Sequence, residues 1–136
     1  MLVANLEYLL LTHRPDLGQL VLRWTRPATS EEHRHGYQVA LNLAGREKVG
    51  CWLIDLRSRG LASAADFRWL MHSFRASLAA TLPGTRPRLA YLVTPYHTEL
   101  LNQRLAEEMA TDSVDTVAVR TFTEEQAAQE WLQRRY

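Results

Sequence analysis

Alternating and continuous apolar runs divide this chain of 136 residues into strand-like segments. The first two flank a turn in which Pro15 fixes φ and Gly18 permits a positive φ, so they predict an antiparallel hairpin. The third run is apolar almost throughout, which is typical of a central strand covered on both faces. In total we expect five strands, over residues 7–12, 19–25, 49–56, 88–94 and 116–122.

Apolar residues at helical spacing predict four helices between and after these strands. Thr29 and Glu32 form a capping-box pattern before the first helix, and Thr123 and Gln126 form the same pattern before the last. Ser63 is expected to cap the second helix. The helices are expected to end near Lys48, Leu82, Ala110 and Arg135.

The resulting order is β-β-α-β-α-β-α-β-α. Strands separated by helices pair in parallel through right-handed crossovers, so we expect an α/β fold. The sheet should be mixed, with an N-terminal antiparallel hairpin and four helices. Residues 112–115 should lead into the last strand, and Trp131 and Leu132 should dock the last helix. The length predicts a single domain over residues 1–136.

Composition narrows the classes of function. A formal net charge of +1 provides no concentrated positive field, which argues against nucleic acid as a partner. No apolar run approaches the ~20 residues of a membrane span. Cys51 is the only cysteine, so no disulfide can form within the monomer, and residues 1–5 lack a basic leader. We therefore expect a cytoplasmic protein.

Known catalytic and cofactor motifs are missing from the sequence. It contains no Gly-x-Ser-x-Gly elbow, no Walker loop and no Gly-x-Gly-x-x-Gly run. The histidines show no metal-ligand spacing with cysteines or carboxylates, and each is expected at the surface. We expect no metal, no cofactor and no enzyme activity. The five histidines are His13, His33, His35, His72 and His97.

One loop carries the candidate ligand-binding residues. Arg57, Ser58, Arg59 and Ser63 cluster where a strand's carboxyl end meets a helix N-terminus, the usual ligand crevice of open α/β sheets. These residues suit a small anion or a phosphorylated metabolite. They equally suit a solvated loop with a capping serine.

Trp69 predicts a contact surface. At ~100° per residue it lies on the opposite side of its helix from the Phe67, Leu70 and Phe74 stripe. Ala65, Ala76 and Ala80 join Trp69 on that side. This second apolar stripe needs cover, which either a neighbouring helix of the same domain or another chain would supply.

The strand and helix over residues 117–132, together with Trp52-Leu53-Ile54-Asp55, resemble the SpoIIAA-like branch of the STAS domain superfamily, including its bacterial members. The resemblance implies helices gathered mainly on one side of the sheet. Phosphorylatable members carry Asp-Ser-Ser-Gly-Leu after the central strand. Matching on Gly60-Leu61 puts Arg59 at the acceptor hydroxyl, with Ser58 one position earlier, so the chain departs from that pattern.

We therefore expect a binding or regulatory module that acts through protein contacts, with a protein partner or a second copy of itself. By analogy with the fold of CRAL-TRIO lipid-binding domains, a small anionic or lipidic ligand is a further option. One alternative is an enzyme or phosphate-ester-binding protein that uses the loop 57–63. Another is a structural homodimer that buries Trp69 between copies.

Overall fold

The computed structural model describes residues 1–110 and 116–134, which fold into an α/β structure around one mixed sheet. Within this part of the chain, six strands lie in the sheet in sequence order. The first three pair antiparallel and the last four pair in parallel. The strands are β1 Leu2–Leu6, β2 Leu9–Arg14, β3 Gln19–Trp24, β4 Cys51–Asp55, β5 Arg88–Leu92 and β6 Ala118–Phe122.

In residues 1–110 and 116–134, four helices accompany the sheet, one of which contains a π-helical segment. Helix α1 connects β3 to β4, and α4 connects β5 to β6. Between β4 and β5, α2 continues through the π segment into α3 without a break. The bounds are α1 Ser30–Glu47, α2 Ala64–Trp69, the π segment Leu70–Phe74, α3 Arg75–Thr81, α4 Pro95–Met109 and α5 Glu125–Gln133.

The strand order decides where the helices lie. Each right-handed crossover adds its next strand on the same side of the previous one, so α1, α2–α3 and α4 all return over one face. They cover Leu20, Trp52 and Leu89 in the larger core. Helix α5 follows the last strand and packs Trp131 on the opposite face, against Leu53 and other buried apolar residues.

Helix α1 begins and packs as its sequence predicts. The Thr29 hydroxyl accepts from the Glu32 amide at 3.2 Å, and the Glu32 carboxylate accepts from the Thr29 amide at 3.0 Å, which confirms the capping box. Gly36 faces the sheet so closely that a Cβ there would lie 2.7 Å from Cη2 of Trp24. Glycine therefore weakens the helix locally but lets it approach the sheet.

The sheet has one strand more than the sequence predicts. Residues 1–5 gave no strand signal, yet Leu2–Leu6 forms the edge strand β1 beside β2. Leu2 is 53 % exposed and Val3 is 41 % exposed. An edge strand that buries neither face consistently has no period-2 pattern, and pattern analysis misses it.

The start of α5 also differs from the prediction. The expected capping box of Thr123 and Gln126 is absent, because the N-cap residue is Glu124 and no side chain caps the helix. Glu125 instead receives two hydrogen bonds from Arg23, which fix the first turn on the sheet. The docking of Trp131 and Leu132 is confirmed. Residues 112–115 and Arg135 lie outside the described part.

None of the helices in the described part of the chain combines the length and the apolar character that crossing a bilayer requires.

The close approach of α1 to the sheet gives a direct test. We expect Gly36→Ala to lower the free energy of unfolding by about 1–2 kcal/mol, because the clash with Trp24 outweighs the gain in helix propensity. Gly45→Ala is the matched control in the same helix. Its Cβ meets only the exposed Thr81 methyl group, which can rotate away, so this change should be neutral or stabilising. If urea unfolding showed equal losses of unfolding free energy in the two variants, this packing would be contradicted.

Candidate functional site

The four candidate residues of the loop 57–63 do not form one site. Arg57 lies on the face that α5 covers, and its guanidinium donates to both carboxylate oxygens of Asp55, at 3.0 and 2.9 Å. Arg23 donates to Asp55 at 2.9 Å and to both oxygens of Glu125 at 3.0 Å. Arg57 also lies 3.4 Å from Glu125. Two arginines and two carboxylates thus neutralise one another.

The pKa values in this network follow from its contacts. Burial raises the pKa of Asp55, but hydrogen bonds from Arg57 and Arg23 outweigh that effect, and the pKa lies below its ordinary value. The pKa of Glu125 is lowered, chiefly by the hydrogen bonds from Arg23. All four groups are therefore charged at neutral pH. Arg57 is already balanced and is a weak anion ligand.

The two serines of the loop have different surroundings. The Ser63 hydroxyl accepts from the Asp66 amide at 3.1 Å and caps α2, as the sequence predicts. Ser58 is exposed and forms no side-chain hydrogen bond with a described residue. Ser63 therefore has a structural role.

Arg59 turns away from Arg57 into the core on the other face of the sheet. It is 7 % exposed, and its guanidinium lies 4.4 Å from the centroid of the Trp24 ring. Nη2 is 2.8 Å from Nδ1 of His33. The sequence predicted a loop ligand at this position, whereas the structure places a charged group inside the helical layer.

The other buried arginines show how unusual Arg59 is. Arg75 donates to the Val117 carbonyl at 2.6 Å. Arg88 donates to the carbonyls of Trp131 and Arg134, at 2.6 and 2.7 Å. By contrast, the Arg59 guanidinium donates to no oxygen atom of the described chain and forms no ion pair there.

Asp66 is the acidic residue that influences Arg59, and only as a minor effect. Burial lowers the pKa of Arg59, and the negative charge of Asp66 opposes this weakly. The Asp66 carboxylate accepts from the Ser30 hydroxyl at 2.9 Å instead of from Arg59. The guanidinium charge thus has no direct counterion within residues 1–110 and 116–134.

His33 is buried, which corrects the expectation that every histidine lies at the surface. It is 1 % exposed, and burial, followed by the Arg59 charge, lowers its pKa to about 4. At neutral pH the ring is uncharged, so Nδ1 accepts from Arg59 and the proton resides on Nε2. Nε2 has no hydrogen-bond partner among the described residues, although the nearby Asp66 backbone raises the pKa of His33 slightly.

Arg59 lines a small, largely enclosed cavity, which we name the Arg59 cavity. Its volume is about 10 Å³, room for roughly one water molecule. Five polar and six apolar residues line it. The polar lining residues are His33, Tyr37, Arg59, Tyr91 and Arg104, and the apolar ones are Leu56, Leu61, Ala62, Phe67, Leu70 and Leu101.

The hydroxyls of Tyr37 and Tyr91 lie 3.4 Å apart in the buried interior. Burial raises the pKa of both, most strongly that of Tyr91, so both are neutral hydrogen-bond donors. At the rim of the cavity, Arg104 donates to the Ala62 carbonyl at 2.7 Å and ties the loop to α4. Arg104 forms no ion pair with any described residue.

Trp69 has cover from its own chain. Its ring lies 5.5 Å from that of His33 and 6.1 Å from that of Phe74, and Arg34 lies 5.4 Å above it. The sequence placed Trp69 opposite Phe74, but the intervening π segment aligns residues five apart and brings the two rings together. Of the remaining candidate interface residues, Ala65, Ala76 and Ala80 are exposed.

No group of three or more histidine, cysteine or acidic side chains that could hold a metal ion occurs in the described ranges.

The sequence pattern indicated that one cavity residue, His33, faces inward. His33 lies four residues before Tyr37 and so continues the apolar stripe of α1, which marks it as inward-facing. Arg59 had no comparable signal. Its direction depends on the tight turn at Gly60, whose φ is +80°, and on a ring supplied by a distant strand.

The role of Ser63 can be measured by removing its hydroxyl. Ser63→Ala should lower the free energy of unfolding by about 0.5–2 kcal/mol, because the Asp66 amide loses its acceptor. Ser58→Ala, the matched control in the same loop, should leave the unfolding midpoint unchanged. An equal effect of both substitutions would contradict the capping role.

The network around Asp55 predicts a dependence on pH. Asp55→Asn should cost about 1–3 kcal/mol at pH 7. Because the folded-state pKa is lowered, this stabilisation is present above the ordinary carboxyl pKa of about 3.9 and is lost as the pH falls through the folded-state value. The free energies of unfolding of the wild type and of Asp55→Asn should then converge. Asp16→Asn, which alters an exposed pair with Arg14, is the control and should show little loss.

Comparison with known proteins gives no match: no family model, no curated protein and no solved structure is significantly similar to this chain.

Proposed function

We propose that this chain is a small STAS-like binding or regulatory module whose ligand is an anion bound at Arg59. One observation carries the proposal: two arginines, Arg59 and Arg104, line the Arg59 cavity, and no acidic residue of the described chain lines it with them. The order of the strands and the one-sided helical layer agree with the resemblance to the SpoIIAA-like branch.

The energetic case begins with the cost of burying Arg59. Removing an unpaired charge from water costs several kcal/mol even after the protein relaxes. Stacking on the Trp24 ring returns about 2 kcal/mol when the pair is desolvated. Neutral His33 contributes a hydrogen bond but no charge. A bound anion would supply the missing charge and accept from the free N–H groups.

The surface offers larger but less suitable spaces. Grooves of about 360 and 380 Å³ are open to solvent. Among the described residues that line them, none is a buried charged side chain. Recognition of a small ion depends on desolvated charge more than on volume. This argument favours the Arg59 cavity.

A regulatory role needs a path to the surface, and the loop 57–63 provides one. Arg59 lies inside, while its neighbours Arg57 and Ser58 are exposed. A ligand that holds Arg59 in place would also hold this exposed stretch in one conformation. We propose that a protein partner recognises the conformation of that stretch.

The alternatives lead to different expectations. An enzyme that uses this cavity needs an acid or base with a matched pKa, whereas burial lowers the pKa of His33 to about 4 and raises the pKa values of Tyr37 and Tyr91. A homodimer that buries Trp69 between copies has to compete with the contacts of Trp69 to His33 and Phe74. Anion binding needs neither condition.

Replacing Arg59 tests the proposal. We expect wild-type protein to unfold at a higher temperature when a cavity-binding anion is added at constant ionic strength. The gain should be about 2.7 kcal/mol at a hundredfold excess over Kd. Arg59→Met should abolish this response and, without added anion, should be as stable as wild type or more stable, because the buried charge is gone.

Arg57→Met is the matched control, since Arg57 lies on the other face of the sheet. It should retain the full response to the anion. The panel is chloride, formate, acetate and phosphate, each added singly. An undiminished response of Arg59→Met, or no response of wild type to any member, would refute the proposal.

A further inference from the structure

The hydrogen-bond donors around the Arg59 cavity restrict the class of ligand further than the requirement for a negative charge does. The Arg59 guanidinium has five N–H groups, and its one hydrogen bond to a described residue goes to Nδ1 of His33. Tyr37 and Tyr91 bring two hydroxyl protons, and the contact between them uses one. The interior thus has donors in excess and lacks an acceptor that carries negative charge.

Resting on the proposed function, we infer that the ligand is a short-chain monocarboxylate. Its carboxylate would accept from Arg59 and from the Tyr37–Tyr91 pair, and its small apolar substituent would lie against Leu61 and Leu70. Charge, geometry and size each support this class.

Charge favours a single negative group. Arg59 is buried, whereas Arg104 lies at the rim and is only half-buried, so water screens its charge. A monoanion neutralises Arg59. A phosphate dianion would leave a second negative charge in a largely enclosed cavity, where desolvation is costly.

Geometry favours a planar acceptor. The Arg59 guanidinium lies over the Trp24 ring and uses Nη2 for His33, which leaves its other N–H groups for other partners. Carboxylates match the edge of a guanidinium with two parallel hydrogen bonds. A halide ion offers a single acceptor centre and no apolar part for the rest of the cavity wall.

Size restricts the substituent. A volume of about 10 Å³ holds roughly one water molecule, so any carboxylate has to widen the cavity, and the shortest ones widen it least. Longer chains would have to displace Leu61 and Ala62, which Arg104 holds to α4. The cavity therefore has no room for an acyl chain, and the lipidic option does not apply to it.

Titration of wild-type protein tests this inference without relying on a variant. Calorimetry at neutral pH and constant ionic strength would compare sodium formate, acetate, propionate, hexanoate, chloride and phosphate. We expect at least one of the three short carboxylates to bind roughly tenfold more tightly than chloride or phosphate. Hexanoate should bind roughly tenfold more weakly than acetate, because its chain does not fit.

Two variants locate the binding. Tyr91→Phe keeps the ring and removes the hydroxyl, so acetate should bind several-fold more weakly, while Arg57→Met should bind acetate like wild type. Both variants are first checked for native unfolding. If Tyr91→Phe does not fold, the wild-type anion series still decides the question.

The possible outcomes distinguish the monocarboxylate inference from the proposed anion site. Binding of chloride or phosphate as tightly as acetate would overturn the monocarboxylate class and leave the anion site intact. Binding of hexanoate as tightly as acetate would overturn the size limit and with it this inference. Failure of every anion to bind would overturn both this inference and the proposed function.

Discussion

The Arg59 guanidinium lies over the indole of Trp24, at a point where side chains from the sheet, from α1 and from the loop after β4 meet. Trp24 comes from β3, His33 from α1 and Tyr91 from β5, and the loop after β4 supplies the charge. Helix α1 can approach this point because Gly36 has no side chain to collide with the indole. A buried cation among aromatic rings is therefore a product of the whole layer and not of one motif.

The two arginines of the loop 57–63 have different surroundings on the two faces of the sheet. On the α5 face, Arg23 and Arg57 meet Asp55 and Glu125, and each of these four charges has an opposite neighbour. On the other face, Arg59 has an aromatic ring and a neutral imidazole in place of a carboxylate. The same short loop supplies both arginines, so its backbone links a balanced network at the surface to an unbalanced charge inside.

Much of the fold could be predicted because its signals are local. The capping box at Thr29 and Glu32, the Ser63 cap and the apolar run of β4 each depend on neighbours in sequence. The edge strand β1 lacked an alternating pattern, and the π segment changed the direction of Trp69. The site was harder still, because Arg59 acquires its environment from residues tens of positions away. The sequence predicted that Arg57 and Arg59 cluster in one loop site, whereas the two side chains lie on opposite faces of the sheet.

The most direct measurement of the central claim is the side-chain NMR spectrum of ¹⁵N-labelled arginine in the folded protein during addition of acetate. The account predicts that the Nε–H resonance of Arg59 shifts and becomes protected from exchange, while that of Arg57 stays in place. An Arg59 resonance that does not change, or that changes only together with Arg57 as salt accumulates, would contradict an anion site in the cavity.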